Sequence, residues 1–200
     1  LELIRDQDED VRRAAIEILN QTKDERAVSF LIEATRDKDW WVRERAVDAL
    51  AEIGSRAALP ALIQMLAVSD ARSLPTVVRA IGKLGDGAQL TRLLPLLDHS
   101  AKEVRLEAIT ALTRLVDESS AEQVRARLDV MGATVADPTV SHAALRAVED
   151  LDSRFSSRAM AVRDGAARMA EPARTLLVDR SELDGVLKQS REQQRLDITA

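Results

Sequence analysis

Val11-Arg12-Arg13-Ala14-Ala15-Ile16 returns as Val42-Arg43-Glu44-Arg45-Ala46-Val47 and again as Val104-Arg105-Leu106-Glu107-Ala108-Ile109. The first two are about 31 residues apart and the third lies about two further periods on, so the chain is built from a repeating unit and is read by columns rather than segment by segment. Units 6–36, 37–67, 68–98 and 99–129 stack in this frame. Their first segments align Ala15, Ala46, Val77 and Ala108, then Ile16, Val47, Val78 and Ile109, then Leu19, Leu50, Ile81 and Leu112. Their second segments align Leu31, Leu62, Leu93 and Val124, preceded by Val28, Leu59, Leu90 and Ala121. Apolar residues at i, i+3, i+4 and i+7 with polar residues between them predict two amphipathic helices per unit.

The ends of the predicted helices have matching chemistry. Asp8 and Asp39 sit where an N-cap oxygen is needed, and Ser100 to Glu103 and Ser119 to Glu122 both have the spacing of a capping box. Gly54 and Gly85 share a column just after the first helix, where a left-handed residue ends a helix at little cost. Unit 68–98 departs from the others. It has Ser73-Leu74 in place of Val-Arg and Pro75 early in its first helix, which is expected to start near Leu74 and to lack the arginine contact.

The Asp-rich entry, the Val-Arg-x-x-Ala segment and the glycine between helices resemble the HEAT repeat, in the bacterial HEAT-like form related to phycobilisome lyases, over residues 1–129. The resemblance implies an all-α, right-handed α-solenoid of HEAT-like helix pairs whose stability comes from stacking of neighbours. Leu1-Glu2-Leu3-Ile4 aligns with the end of a second helix, which suggests an array continuing upstream, and the start at Leu1 suggests a fragment or a processed product. Beyond residue 130 the register fades, and 130–190 is expected to form a helical C-terminal cap with 191–200 as a polar tail. Asp137-Pro138 opens a helix through Val140, Ala144, Val148, Leu151 and Phe155. The sevenfold spacing of Val148, Phe155, Val162, Met169, Leu176 and Leu183 leaves open an exposed dimerising helix, against which Gly165 and Pro172 in the companion column argue.

Composition narrows the function. The chain has 200 residues, 46% of them hydrophobic and 32% charged, which gives ample material for a core. Seven glycines and five prolines are few for a turn-rich β architecture. With no cysteine, disulfides, zinc-thiolate sites and thiol nucleophiles are excluded. The two histidines, His99 and His142, make no metal site by themselves and read as surface residues. A net charge of −5 and only two tryptophans and two phenylalanines disfavour nucleic acid. Neither a membrane-length apolar run nor a signal peptide is visible, so a cytoplasmic protein is expected. No phosphate loop, nucleophile elbow or metal pair is found; no cofactor or catalytic residue is assigned, and the chain is expected not to be an enzyme.

Four residues form the candidate partner surface. Trp40 and Trp41 interrupt columns that are otherwise polar or small, and at least one is expected at the surface, either as a binding anchor or stacked on an arginine. Phe30 and Arg92 share a second-helix column that points to the inner face of such an array. Arg12, Arg43 and Arg105 recur once per unit and are expected to form a structural column, bridging to carboxylates such as Asp8, Asp39 or Glu103. The expected function is a protein-binding scaffold with a protein partner of unknown identity. A regulatory segment of a larger enzyme such as a bacterial protein kinase, and a HEAT-like nucleic-acid binder or glycosylase, are the alternatives.

Overall fold

A computed structural model describes residues 2–155. The expectations for residues 156–200, including most of the cap, the tail and the heptad positions from Val162 onward, lie outside the described residues. The described residues are helical, without strands. First helices α1 (Glu9–Thr22), α3 (Trp40–Ile53), α5 (Leu74–Leu84) and α7 (Lys102–Leu115) alternate with second helices α2 (Val28–Ala34), α4 (Leu59–Val68), α6 (Leu90–Leu93) and α8 (Ala121–Thr134). A ninth helix, α9, runs from 138 to the last described residue, 155.

The apolar columns become the core. Ile16, Val47, Val78 and Ile109 are buried, as are Leu31, Leu62, Leu93 and Val124. Each first helix packs on the next, α1 on α3, α3 on α5 and α5 on α7, while α2, α4 and α6 pack on α3, α5 and α7 in turn. One unit thus leaves its stripe open until a neighbour covers it. Aliphatic cores of this kind contribute about 25 cal/mol per Å² of apolar surface removed from water. α5 and α7 approach each other closely: a methyl placed on Gly82 would lie 2.7 Å from the Ala111 Cβ and 2.9 Å from its Cα.

Local chemistry sets the helix ends, with several departures from the sequence reading. Asp8 and Asp39 cap α1 and α3 by accepting from the backbone N–H of Asp10 and Trp41. α5 starts at Leu74 with Pro75 in its first turn, as Pro75 predicts. Pro95 supplies no N–H to a continuing helix, so α6 is short and passes into a 3₁₀ segment, Leu94–Asp98. Gly54 is left-handed (φ 81°), but Gly85 is not (φ −81°, ψ −171°); the left-handed residue of the first unit is Lys23 (φ 48°).

Neither expected capping box forms. Ser100 stands outside α7, whose N-cap is Ala101 without a side-chain cap, and the loop is held instead by His99 Nδ1 accepting from the Ala101 N–H at 3.1 Å. At α8 the N-cap is Ser120, one residue later than expected and without a side-chain cap, and the Ser119 hydroxyl donates instead to Asp117 Oδ1 at 2.7 Å. The Ser119 and Ser120 hydroxyls and the Ser120 N–H together hold the Asp117 carboxyl at about 2. A reciprocal box does form at Asp86 and Gln89. α8 continues to Thr134, past the expected unit end at 129, before Asp137 caps α9 by accepting from Thr139 and Val140. Val140, Ala144, Val148 and Leu151 of α9 are then buried at the spacing of the earlier first helices.

Candidate functional site

The site is built on the loop-side edge where each first helix begins. Arg12, one turn into α1, is only 4% exposed. Its Nη1 donates to the carbonyls of Asp6 (2.9 Å) and Gln7 (3.1 Å), tying the incoming loop to the helix. Its other edge, Nε and Nη2, grips both oxygens of Asp37 at 2.8 and 3.1 Å. Bidentate pairing of this kind is strong and geometrically selective, and losing one member of a buried pair costs about 3–5 kcal/mol.

Arg43 repeats the first half of this arrangement. Its Nη1 donates to the carbonyls of Asp37 (2.8 Å) and Lys38 (3.1 Å). Arg105 does the same with His99 (2.7 Å) and Ser100 (2.9 Å). The feature common to the arginine column is therefore a grip on two loop carbonyls, not the bridges to Asp8, Asp39 or Glu103 that the sequence suggested. Asp39 instead receives Arg13 Nε at 2.6 Å, which lowers its pKa, with the Trp41 N–H adding to the effect and burial opposing it.

The second half is missing from the later units. Asp37 belongs to a column continued by Val68 and His99. α2 stops at Ala34 and the chain turns so that the Asp37 carboxylate meets Arg12, whereas α4 runs on to Val68 and carries that residue out to 82% exposure. Among the described residues, Arg43 Nε and Nη2 therefore have no hydrogen-bond or ion-pair partner. Arg43 lines a cleft of about 450 Å³ together with Thr35, Arg36, Gln64, Val68 and Asp70. Asp70 is no substitute for Asp37. Its Oδ1 accepts from the Ser73 N–H at 2.9 Å, which is the main reason its pKa lies below the usual value, and Arg43 is a lesser cause. Arg105 differs again, because its Nε is buried without a hydrogen-bond partner among the described residues.

Trp40 opens α3. It is 39% exposed, with the Arg72 guanidinium 4.7 Å from its ring centroid. Arg72 belongs to the same loop that supplies Ser69, Asp70 and Ser73 to the cleft. Trp41 is half-buried against the core, with Arg45 over its ring at 5.7 Å. Phe30 is half-buried against the core and Arg92 is exposed on α6. No hydrogen bond, ion pair or ring contact among the described residues joins either of them to the Trp40 edge. The participation of Arg36, Val68 and Arg72 was not read from the sequence. The signal was the column Asp6, Asp37, Val68, His99, in which the acid disappears after the second unit.

Among the described residues no cluster of three or more His, Asp or Glu side chains could hold a metal ion, and no helix is long and apolar enough to cross a membrane.

Helix pairs stacked in register, with arginines recurring along their loop edge, define a helical-repeat fold. Residues 1–74 match the family described as HEAT repeats. An engineered protein superposes with a TM-score of 0.55 at 21% identity, over 76% of this chain and 77% of that one. A designed armadillo repeat protein does so with a TM-score of 0.54 at 18% identity, over 75% and 79%. A chain from the complex of CpcE and CpcF of phycocyanin lyase from Nostoc sp. PCC7120 reaches a TM-score of 0.48 at 21% identity, over 72% and 73%. At these identities the likeness shows the fold alone. No curated protein matches the chain.

Proposed function

We propose that this chain is a protein-binding scaffold without catalysis of its own, and that it binds through the edge formed by Trp40, Arg72 and Val68. The carrying observation is Trp40: a rigid aromatic ring left 39% exposed on a surface built by stacked helices, with a cation stacked at 4.7 Å. A ring held in this way offers a large contact area with little ordering on binding. Several arginines, among them Arg12, Arg13, Arg79 and Arg125, are committed to carboxylates and so are less available to phosphates, which favours a protein over a nucleic-acid ligand.

The test is crosslinking capture with the 200-residue chain and its Trp40→Ala variant, each checked for helicity by circular dichroism, beside a gel-shift assay at physiological salt. Proteins captured by the parent and lost by the folded variant bear the reading out. An identical captured set from both chains, or a salt-sensitive nucleic-acid shift alone, overturns it.

A further inference from the structure

The first unit of this protein shows what the second one lacks. Arg12 and Arg43 occupy the same position and hold their loops by the same pair of Nη1 bonds. In the first unit the remaining guanidinium edge is filled by Asp37, through Nε and Nη2 at 2.8 and 3.1 Å. In the second, that edge has no hydrogen-bond or ion-pair partner among the described residues, and Arg43 lines a cleft of about 450 Å³.

We propose that the Arg43 cleft is a carboxylate-binding site that takes an aspartate or glutamate side chain of the protein partner, seated as Asp37 is seated on Arg12. This rests on the protein-binding reading above and names the chemistry that the partner presents.

Three features select such a ligand. The planar fork of a guanidinium matches the two oxygens of a carboxylate, and the loop bonds fix its orientation in advance, so little ordering remains for binding. Charge in the cleft favours an anion: Arg36 and Arg43 face one carboxylate, Asp70, which is already engaged by the Ser73 N–H. Among the exposed residues that line the cleft, Arg36, Gln64 and Asp70 are polar and Val68 is apolar. The loop that forms one wall carries Arg72 over Trp40, so an acidic residue flanked by apolar ones would find both a cation and apolar surface. The last unit makes a useful contrast, because the corresponding Arg105 Nε is buried and offers no access.

The experiment follows the Nε–H signals of ¹⁵N-arginine-labelled protein during titration with a short peptide carrying one aspartate between apolar residues. Its asparagine counterpart, sodium acetate, sodium phosphate and sodium chloride at matched ionic strength are the comparisons. Arg43 is assigned by the loss of its signal in Arg43→Lys. The aspartate peptide and acetate are expected to move the Arg43 signal saturably while Arg12, already on Asp37, stays in place, and the asparagine peptide and chloride are expected to leave both unmoved. Arg43→Lys, which keeps the charge and removes the fork, and Arg43→Gln should weaken the aspartate peptide about tenfold or more while circular dichroism remains that of the parent. An Arg43 signal that moves no more with carboxylates than with chloride, equal binding of the two peptides, or stronger binding of phosphate than of carboxylate would overturn the assignment. The two readings fail separately. Capture lost in Trp40→Ala with Arg43 silent to carboxylates removes only the site, and saturable Arg43 binding with capture unchanged in Trp40→Ala removes only the Trp40 edge.

Discussion

Replacing Gly82 by alanine tests whether the array is held by backbone-close stacking of first helices. A Cβ at this position would sit 2.7 Å from the Ala111 Cβ and 2.9 Å from its Cα, where carbon atoms prefer about 3.5–4.0 Å. Both obstacles are parts of α7 that cannot rotate away, so α5 and α7 must separate by several tenths of an ångström around the buried residues Val78, Ile81, Ala108 and Leu112. Overpacking of this kind costs about 1–3 kcal/mol, and contact with a backbone atom places Gly82→Ala near the upper end. Better helix propensity returns about 1 kcal/mol. The net expectation is a loss of about 2 kcal/mol, read as a lower urea midpoint by circular dichroism at unchanged helicity. Adding Ala111→Gly removes one of the two obstacles, so the double variant should recover about 1 kcal/mol relative to the sum of the single changes. A Gly82→Ala protein as stable as the parent, or strictly additive effects in the double variant, would refute the close-packing argument.

Three further outcomes are expected. Arg12→Gln and Arg43→Gln both remove the loop bonds, but only the first strands a buried carboxylate, Asp37, so it should be about 2–3 kcal/mol more destabilising in urea unfolding. Lys23 holds a left-handed conformation that disfavours a side chain by about 1 kcal/mol, while its pair with Glu52 is exposed and worth less than that; Lys23→Gly should raise the melting temperature. Asp39 and Asp117 have folded pKa values below the unfolded one, Asp39 chiefly through Arg13 and Asp117, at about 2, chiefly through Ser120. Their stabilisation is complete above the unfolded carboxylate range near pH 4 and is lost as pH falls through the folded values, whereas Asp48, raised by burial, acts in the opposite direction. The urea midpoint should therefore hold from pH 7 to 5 and drop between about pH 4 and 2; a midpoint unchanged at pH 2 would contradict this.

The period, the two helices per unit and the buried columns were legible in the sequence, because side-chain direction in a helix follows directly from residue spacing. Ile16, Val47, Val78 and Ile109 share a column, and burying one stripe requires burying them all. The start of α5 was legible through Pro75, whose ring and missing N–H act locally. Where several local partners compete, the same reasoning faltered. Ser119 has the spacing of a cap for Glu122, but its hydroxyl donates to the Asp117 carboxylate, and the spacing of the residues does not say which partner it will serve. Gly85 can adopt either sign of φ, and its surroundings chose the extended form.

Tertiary structure alone decided the partners of the arginine column and hence the candidate site. Arg12 and Arg43 are equivalent in sequence and make equivalent loop bonds. One is neutralised and the other left open because α2 ends at Ala34 while α4 continues to Val68, which changes where the following loop delivers its side chains. Contacts across units depend on such differences in helix length, and a column of aligned residues contains no record of them.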